Sequence, residues 1–451
     1  PLALIQDGAD GEKKILKPIF RNPVMWCGLL LPLFINSVNA LHHYFNFIAP
    51  IVPSTSIEIF NRTATLGIRI NFLMFGFAYF INSNIAFSLW FFYLLHVVQE
   101  SLFSYVGIFN PEELGPWTGS GPVGAIMGHQ MMGALIILVC YGLWTARPHL
   151  RDVFQKALTG DKRIDDSQEI LSYRASVVLF FAGIGIMGYW LWQSGIPAWI
   201  VPFFLFSTLI IFIGLARVIA EAGLPTVTPE MVPAGFVVSS VGVPALGPAG
   251  MVATGYTMVW CGDLLVFMMA PLANGLRLSS ELKSGQRRLA WAVVLAMAIT
   301  LVLSVWFTIY LAYRYGSMNL LISEHYATEP SRFALEKITN PTGPSLSGYL
   351  WMTGGGLVMG LLLIARHQFL WWPFHPIGYL VSGTWILNSV WFSIFLAWLV
   401  KIVVLRYGGP RLFRALRPFF LGLVLGQFVS ASLWTMIDGL TGMTDNMIFV
   451  I

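Results

Sequence analysis

The chain has 451 residues, 57% of them hydrophobic and 10% charged, with a formal net charge of +5. A soluble domain carries roughly 25% charged residues, so the composition excludes a soluble globular protein. The basic residues are spread over short loops rather than gathered in one patch, which excludes a nucleic-acid footprint.

Residues 1–22 are polar, carry Lys13, Lys14, Lys17 and Arg21, and read as a cytoplasmic segment. The sequence opens PLALIQDGADGEKK with neither a signal peptide nor an initiator Met, so a processed or partial form of a longer protein is expected. Apolar spans are predicted at 24–44, 66–81, 86–109, 123–145, 175–192, 198–221, 252–275, 289–313 and 347–364. An apolar stretch at 369–405 and a last span at 419–437 follow. No segment between them is long enough to fold alone. Residues 23–451 therefore read as a single transmembrane domain: all-α, a polytopic helical bundle of about ten to thirteen spans. Its largest loops are 146–173, taken as cytoplasmic, and 316–344, taken as extracytoplasmic.

Loop charge sets the orientation. The N-terminal segment and the loop with Arg147, Arg151, Lys156, Lys162 and Arg163 fall on one side. The loop with Arg277, Lys283, Arg287 and Arg288 should share that side, and one crossing at 252–275 puts it opposite. The stretch 224–250 is interrupted by Pro225, Pro229, Pro233, Pro244 and Pro248, and parity returns if it crosses as short broken helices. The same conflict recurs around 369–384, where Pro373, Pro376 and Gly383 point to a second re-entrant or broken segment. Irregular backbone at membrane depth survives only where protein or a water-filled cavity satisfies it.

Polar residues at depth mark candidate sites. Arg217 and Glu221 are four apart on one helix face, as a charged gate, a coupling-ion site or a structural ion pair. Asp263 falls at mid-span, to bind a cation, relay a proton or bond a neighbouring helix. Asn274 ends that span, and backbone from Pro225 to Gly250 is expected to line a path. Weaker candidates are His96 with Glu100, His129 after the loop GPWTGSGPVGAIMG, and His375. The histidines and carboxylates lack the tight spacing of a metal site, so no metal is expected. No phosphate loop or dinucleotide fingerprint, GxSxG or HExxH occurs, so neither a cofactor nor enzyme activity is expected. Cys27, Cys140 and Cys261 lie apart in apolar segments and read as buried structural thiols. RHQFLWWPFHPIGY (366–379) reads as a substrate vestibule or an aromatic belt. The basic connector at 405–420 is expected to meet anionic lipid.

RVIAEAGLPTVTPEMVPAGF and LANGLRLSSELKSGQRR resemble segments of the oligopeptide-transporter superfamily, which includes the yellow-stripe-like metal-chelate transporters. SLWFFYLL, RHQFLWWPFHPIGY and LRYGGPRLFRALRPFFLGLVLG resemble an uncharacterised family of bacterial polytopic proteins, whose members are longer at the N-terminus. The first likeness implies ion-coupled uptake of peptides or metal chelates through broken helices, with this chain possessing all or part of the transporter. The expected partners are the lipid bilayer, a small-molecule solute or coupling ion, and a homo-oligomer or larger membrane complex. The expected location is the bacterial inner membrane, multi-pass. The alternative function is a non-transporting subunit that scaffolds such a complex.

Overall fold

A computed structural model describes residues 18–448 apart from 61–62, 120–122, 162, 168, 225, 263, 265–266, 283–285, 445 and 447. Among the described residues the fold is all-α except for one hairpin. In order, α1 is Pro23–Tyr44, β1 Ser54–Ile59, β2 Ala64–Arg69, α2 Phe72–Ala78, α3 Ser83–Val106, α4 Gly124–Thr145, α5 Arg147–Thr159, α6 Tyr173–Gln193 and α7 Val201–Ala222. Then come α8 Pro233–Val241, α9 Val243–Cys261, α10 Met269–Leu282, α11 Gln286–Tyr315, α12 Leu321–Thr339, α13 Leu346–Gln368, α14 Pro376–Leu380, α15 Trp385–Val403 and α16 Gly409–Thr441.

Among the described residues, 8 helical stretches are long and apolar enough to cross a membrane, the last of them 57 residues long and holding both α15 and α16. Multi-pass membrane character follows. The larger expected number also counted the broken segments and the stretches 66–81 and 252–275 as crossings, and the observed 8 takes α15 and α16 as one stretch. Three predicted boundaries are corrected. Residues 66–81 are not one span: Leu66–Arg69 belongs to β2, and Asn71 caps the short α2 by accepting from Met74 N at 3.0 Å. Residues 252–275 are not one span either, because α9 ends at Cys261 and α10 starts at Met269. The 316–344 loop contains the 19-residue α12. Both predicted breaks are present. α8 has nine residues and is followed at Gly242 by a change of direction, and α9 is kinked at Gly247 (φ 67°) beside Pro248. The second break holds only the five-residue α14.

The contacts group the chain into two compact units: 1–109, 221–227 and 361–451, and 110–220 with 228–360. In the first, α1 packs along α16 through small residues, since a Cβ at Gly28, Gly422 or Gly426 would strike the backbone of Phe419, Met25 and Leu29. Asn36 Nδ2 bonds Gln427 Oε1 at 2.9 Å and Ser430 Oγ at 2.8 Å across this seam. The antiparallel hairpin pairs Ser54 with Arg69 and Ile59 with Ala64, and is tied down by Trp391 Nε1 donating to Gly67 O at 2.7 Å.

In the second unit α4 is the central helix, with 67% of its apolar stretch buried, against 6% for α6 and 0% for α11. Its crossing with α13 is close, because Gly133 meets the backbone of Met352 and Gly355 that of Gln130. α12 lies along α9, where Gly255 leaves room for Pro330 O and Ala334 Cβ. Cys261 is buried as expected, whereas Cys27 and Cys140 are exposed on outward apolar helix faces.

Candidate functional site

The site in the second unit starts from the loop that joins α3 to α4. Asn110 Oδ1 accepts the Glu112 N–H at 3.2 Å, a local turn that fixes where Glu112 leaves the chain. Leu114 then threads between α4 and α8. A Cβ at Gly128 would lie 2.7 Å from Leu114 Cδ1, and one at Gly235 would strike Leu114 O. The small residues let the loop lie against both helices.

This brings Glu112 to His129 on α4, Oε2 to Nε2 at 3.1 Å. Ser239, at the end of α8, places its Oγ 3.3 Å from the same nitrogen. Ser345, just before α13, completes the shell around the Glu112 carboxyl. The break after α8 is held to this segment by Ser345 N donating to Ser239 O (2.9 Å), Val243 N to Thr342 O (2.9 Å) and Tyr349 OH to Ser240 O (2.7 Å). Gly242 has φ +80°, and a Cβ there would sit 2.9 Å from Pro344, so the break needs glycine twice over.

His129 is 1% exposed, and its Nδ1 has no hydrogen-bond partner among the described residues. Burial pushes the Glu112 carboxyl upward, but hydrogen bonds from His129, Ser239 and Ser345 and the nearby imidazole outweigh it, holding the carboxyl below its usual range. The geometry is not that of a nucleophilic triad, in which nucleophile and orienting acid take opposite ring nitrogens. Here carboxylate and hydroxyl share Nε2, an arrangement suited to passing or holding one proton.

Glu112 also lines a cavity of about 540 Å³, with Asn110, Glu113, Glu329, Arg332 and Glu336. Glu113 and Glu336 are hydrogen-bonded carboxyl to carboxyl, and that bond, with burial and like charge, holds the Glu336 carboxyl above its usual range. Arg332 pairs with Glu329 at 3.6 Å. Glu230, 7% exposed, is a further buried carboxylate of this unit, beside Gly119.

Of the residues singled out from the sequence, His129 alone falls in this cluster. Arg217 is half-buried on α7 and donates to Leu138 O at 3.1 Å, and Glu221 is exposed at the end of α7. Asn274 is exposed on α10, and Gly250 packs against Pro197 and Gly195. Asp263 and Pro225 lie outside the described residues. In the first unit, His96 and Glu100 are half-buried on α3, and His375 caps α14, its Nδ1 accepting from Ile377 N at 3.3 Å. The 366–379 segment leaves Trp371 exposed and packs Phe374 on Phe91 at 4.8 Å. No group of three or more metal-ligating side chains occurs among the described residues. Sequence reasoning missed Glu112, Glu113, Ser239, Ser345 and Glu336. The available signal was the tandem Glu112–Glu113 directly before a Gly/Pro-rich loop.

A family match covers residues 1–450. The chain belongs to the Family of unknown function (DUF6785). No curated protein and no solved structure matches it. The family description assigns no activity, so function rests on the site.

Proposed function

We propose that the chain is an ion-coupled secondary transporter of a small organic solute, in which Glu112 and His129 carry the coupling proton. One observation carries the reading: a carboxylate bonded to a buried imidazole beside a broken helix also lines an open cavity. A carboxylate–imidazole pair gives a proton two alternative seats, and Ser239 offers a hydroxyl to whichever is vacated. Broken helices around a binding site are a recurring feature of secondary transporters. Arg217, Glu221 and Asp263 keep a gating or coupling role in this reading, with the backbone between 225 and 250 as a wall. The resemblance to oligopeptide and metal-chelate transporters supplies the solute class. The bacterial inner membrane is the proposed location, with 146–173 facing the cytoplasm.

The test uses the full chain in liposomes under an inward proton gradient, with tetra-alanine and ferric citrate as probes. Uptake of one probe, lost in Glu112→Gln, is expected. Uptake of neither, or undiminished uptake by the variant, overturns the proposal.

A non-transporting scaffold is the second reading. The apolar stretch of α11, with none of it buried, favours it, as a face for partner helices or further copies of the chain. Purification in mild detergent with a stoichiometric partner set, and no flux of either probe, would support it.

A further inference from the structure

The elbow between α15 and α16, in the first unit, holds two cations against one ring. Lys401 closes the last turn of α15, and its Nζ lies 5.4 Å from the centre of Phe413. Arg417 Cζ lies 5.1 Å from the same centre. Lys401 is 7% exposed, and its ammonium donates to Ile81 O at 2.6 Å. An ammonium has three donors, so this bond leaves capacity unused. Arg417 Nε is buried with no hydrogen-bond partner among the described residues. Among the described residues no carboxylate forms an ion pair with either side chain. Two like charges partly withdrawn from water beside an aromatic ring are unfavourable without a counter-ion, and an anion between them relieves that.

The surroundings say which anion. Residues 361–451 carry six Lys and Arg, five of them between 401 and 417, against two Asp. Arg406, Arg411 and Arg414 are exposed around the elbow. The elbow separates the apolar α15 from the apolar body of α16, and basic residues that flank apolar spans are expected where a span meets water. Leu405 and Leu412 are exposed beside the arginines. A free phosphate matches only the charges, whereas a phospholipid also covers the apolar side chains.

We propose that this elbow is a headgroup site for an anionic phospholipid. Lys401 and Arg417 hold the phosphate, and Arg411 and Arg414 add outer charge. Nothing in this depends on the transport reading.

The full chain is taken from nanodiscs of equimolar phosphatidylglycerol and phosphatidylcholine, and the retained lipid is identified by native mass spectrometry. Phosphatidylglycerol is expected in about fivefold excess. Arg417→Gln should remove most of that preference and Arg417→Lys should keep it, while Arg314→Gln on α11 should change nothing. If Arg417→Gln does not fold, the exposed double variant Arg411→Gln, Arg414→Gln is read instead, with a loss of about threefold expected. Equal retention of the two lipids, or full preference in the folded Gln variants, overturns the proposal. Displacement of the lipid by millimolar inorganic phosphate overturns the choice of a lipid over a soluble anion.

Discussion

His129 Nε2 and Glu112 Oε2 lie 3.1 Å apart although a glycine-rich loop separates them in the chain. That contact ties a polar loop to the most buried span of its unit. Replacing His129 with Ala removes a donor from a carboxylate largely shielded from water. A loss of about 1–3 kcal/mol is expected, seen as a lower unfolding temperature in detergent. His129→Gln, which keeps a donor, should lose less.

The two acidic sites should respond to pH in opposite directions. The folded Glu112 carboxyl is held below its usual range, so its contribution to stability is complete above the ordinary carboxylate pKa of about 4.3. It is lost as pH falls through the lower folded value. In Glu112→Gln the acid limb of a plot of unfolding temperature against pH should flatten.

Glu336 runs the other way, because its protonated carboxyl donates to Glu113 and that bond raises its folded pKa. Its contribution is complete below the ordinary value and fades as pH rises through the folded one. Glu336→Gln should therefore be slightly more stable than the wild type at neutral pH, by a few degrees at most, and indistinguishable from it near pH 4. A stability difference that grows on acidification would contradict the shared proton.

How much of this is visible before folding depends on what the residues signal. Pro233, Gly242 and Pro248 mark broken helices because proline and glycine act on the backbone wherever they fall, and both breaks are there. His129 draws notice as a titratable side chain in an apolar run. Glu112 does not, because a carboxylate in a polar loop looks solvated until the loop is seen wedged beside Gly128 and Gly235. Ser239 and Ser345 carry still less signal, since serine is ordinary at a helix end. The hairpin is hidden because only Ile70 and Asn71 separate Leu66–Arg69 from the apolar α2, so the two blur into one span.

Gly242→Ala should be among the most damaging single substitutions. Its φ of +80° and the 2.9 Å approach to Pro344 both reject a side chain. Backbone strain alone contributes about 1–3 kcal/mol. Poor recovery of monodisperse protein is expected, in contrast to Gly160→Ala at an open helix end, where only the φ of +68° is strained. Equal recovery of the two would rule out the crowding at Pro344 as a constraint.

The nine residues of α8 bear on how this protein is made. At about 1.5 Å per residue, such a helix reaches less than half of a hydrocarbon core of about 30 Å. A translocon that selects segments by length and greasiness has nothing there to release sideways into lipid. Residues 233–240 are all buried, so their surroundings must already be standing when they arrive. Since α8 is bonded through Ser239 and Ser240 to the segment that opens α13, it has to wait for chain synthesised about a hundred residues later. Its docking is a late step of biogenesis, and ribosome release in the interval would leave the cluster of Glu112, His129 and Ser239 unassembled in an otherwise inserted chain.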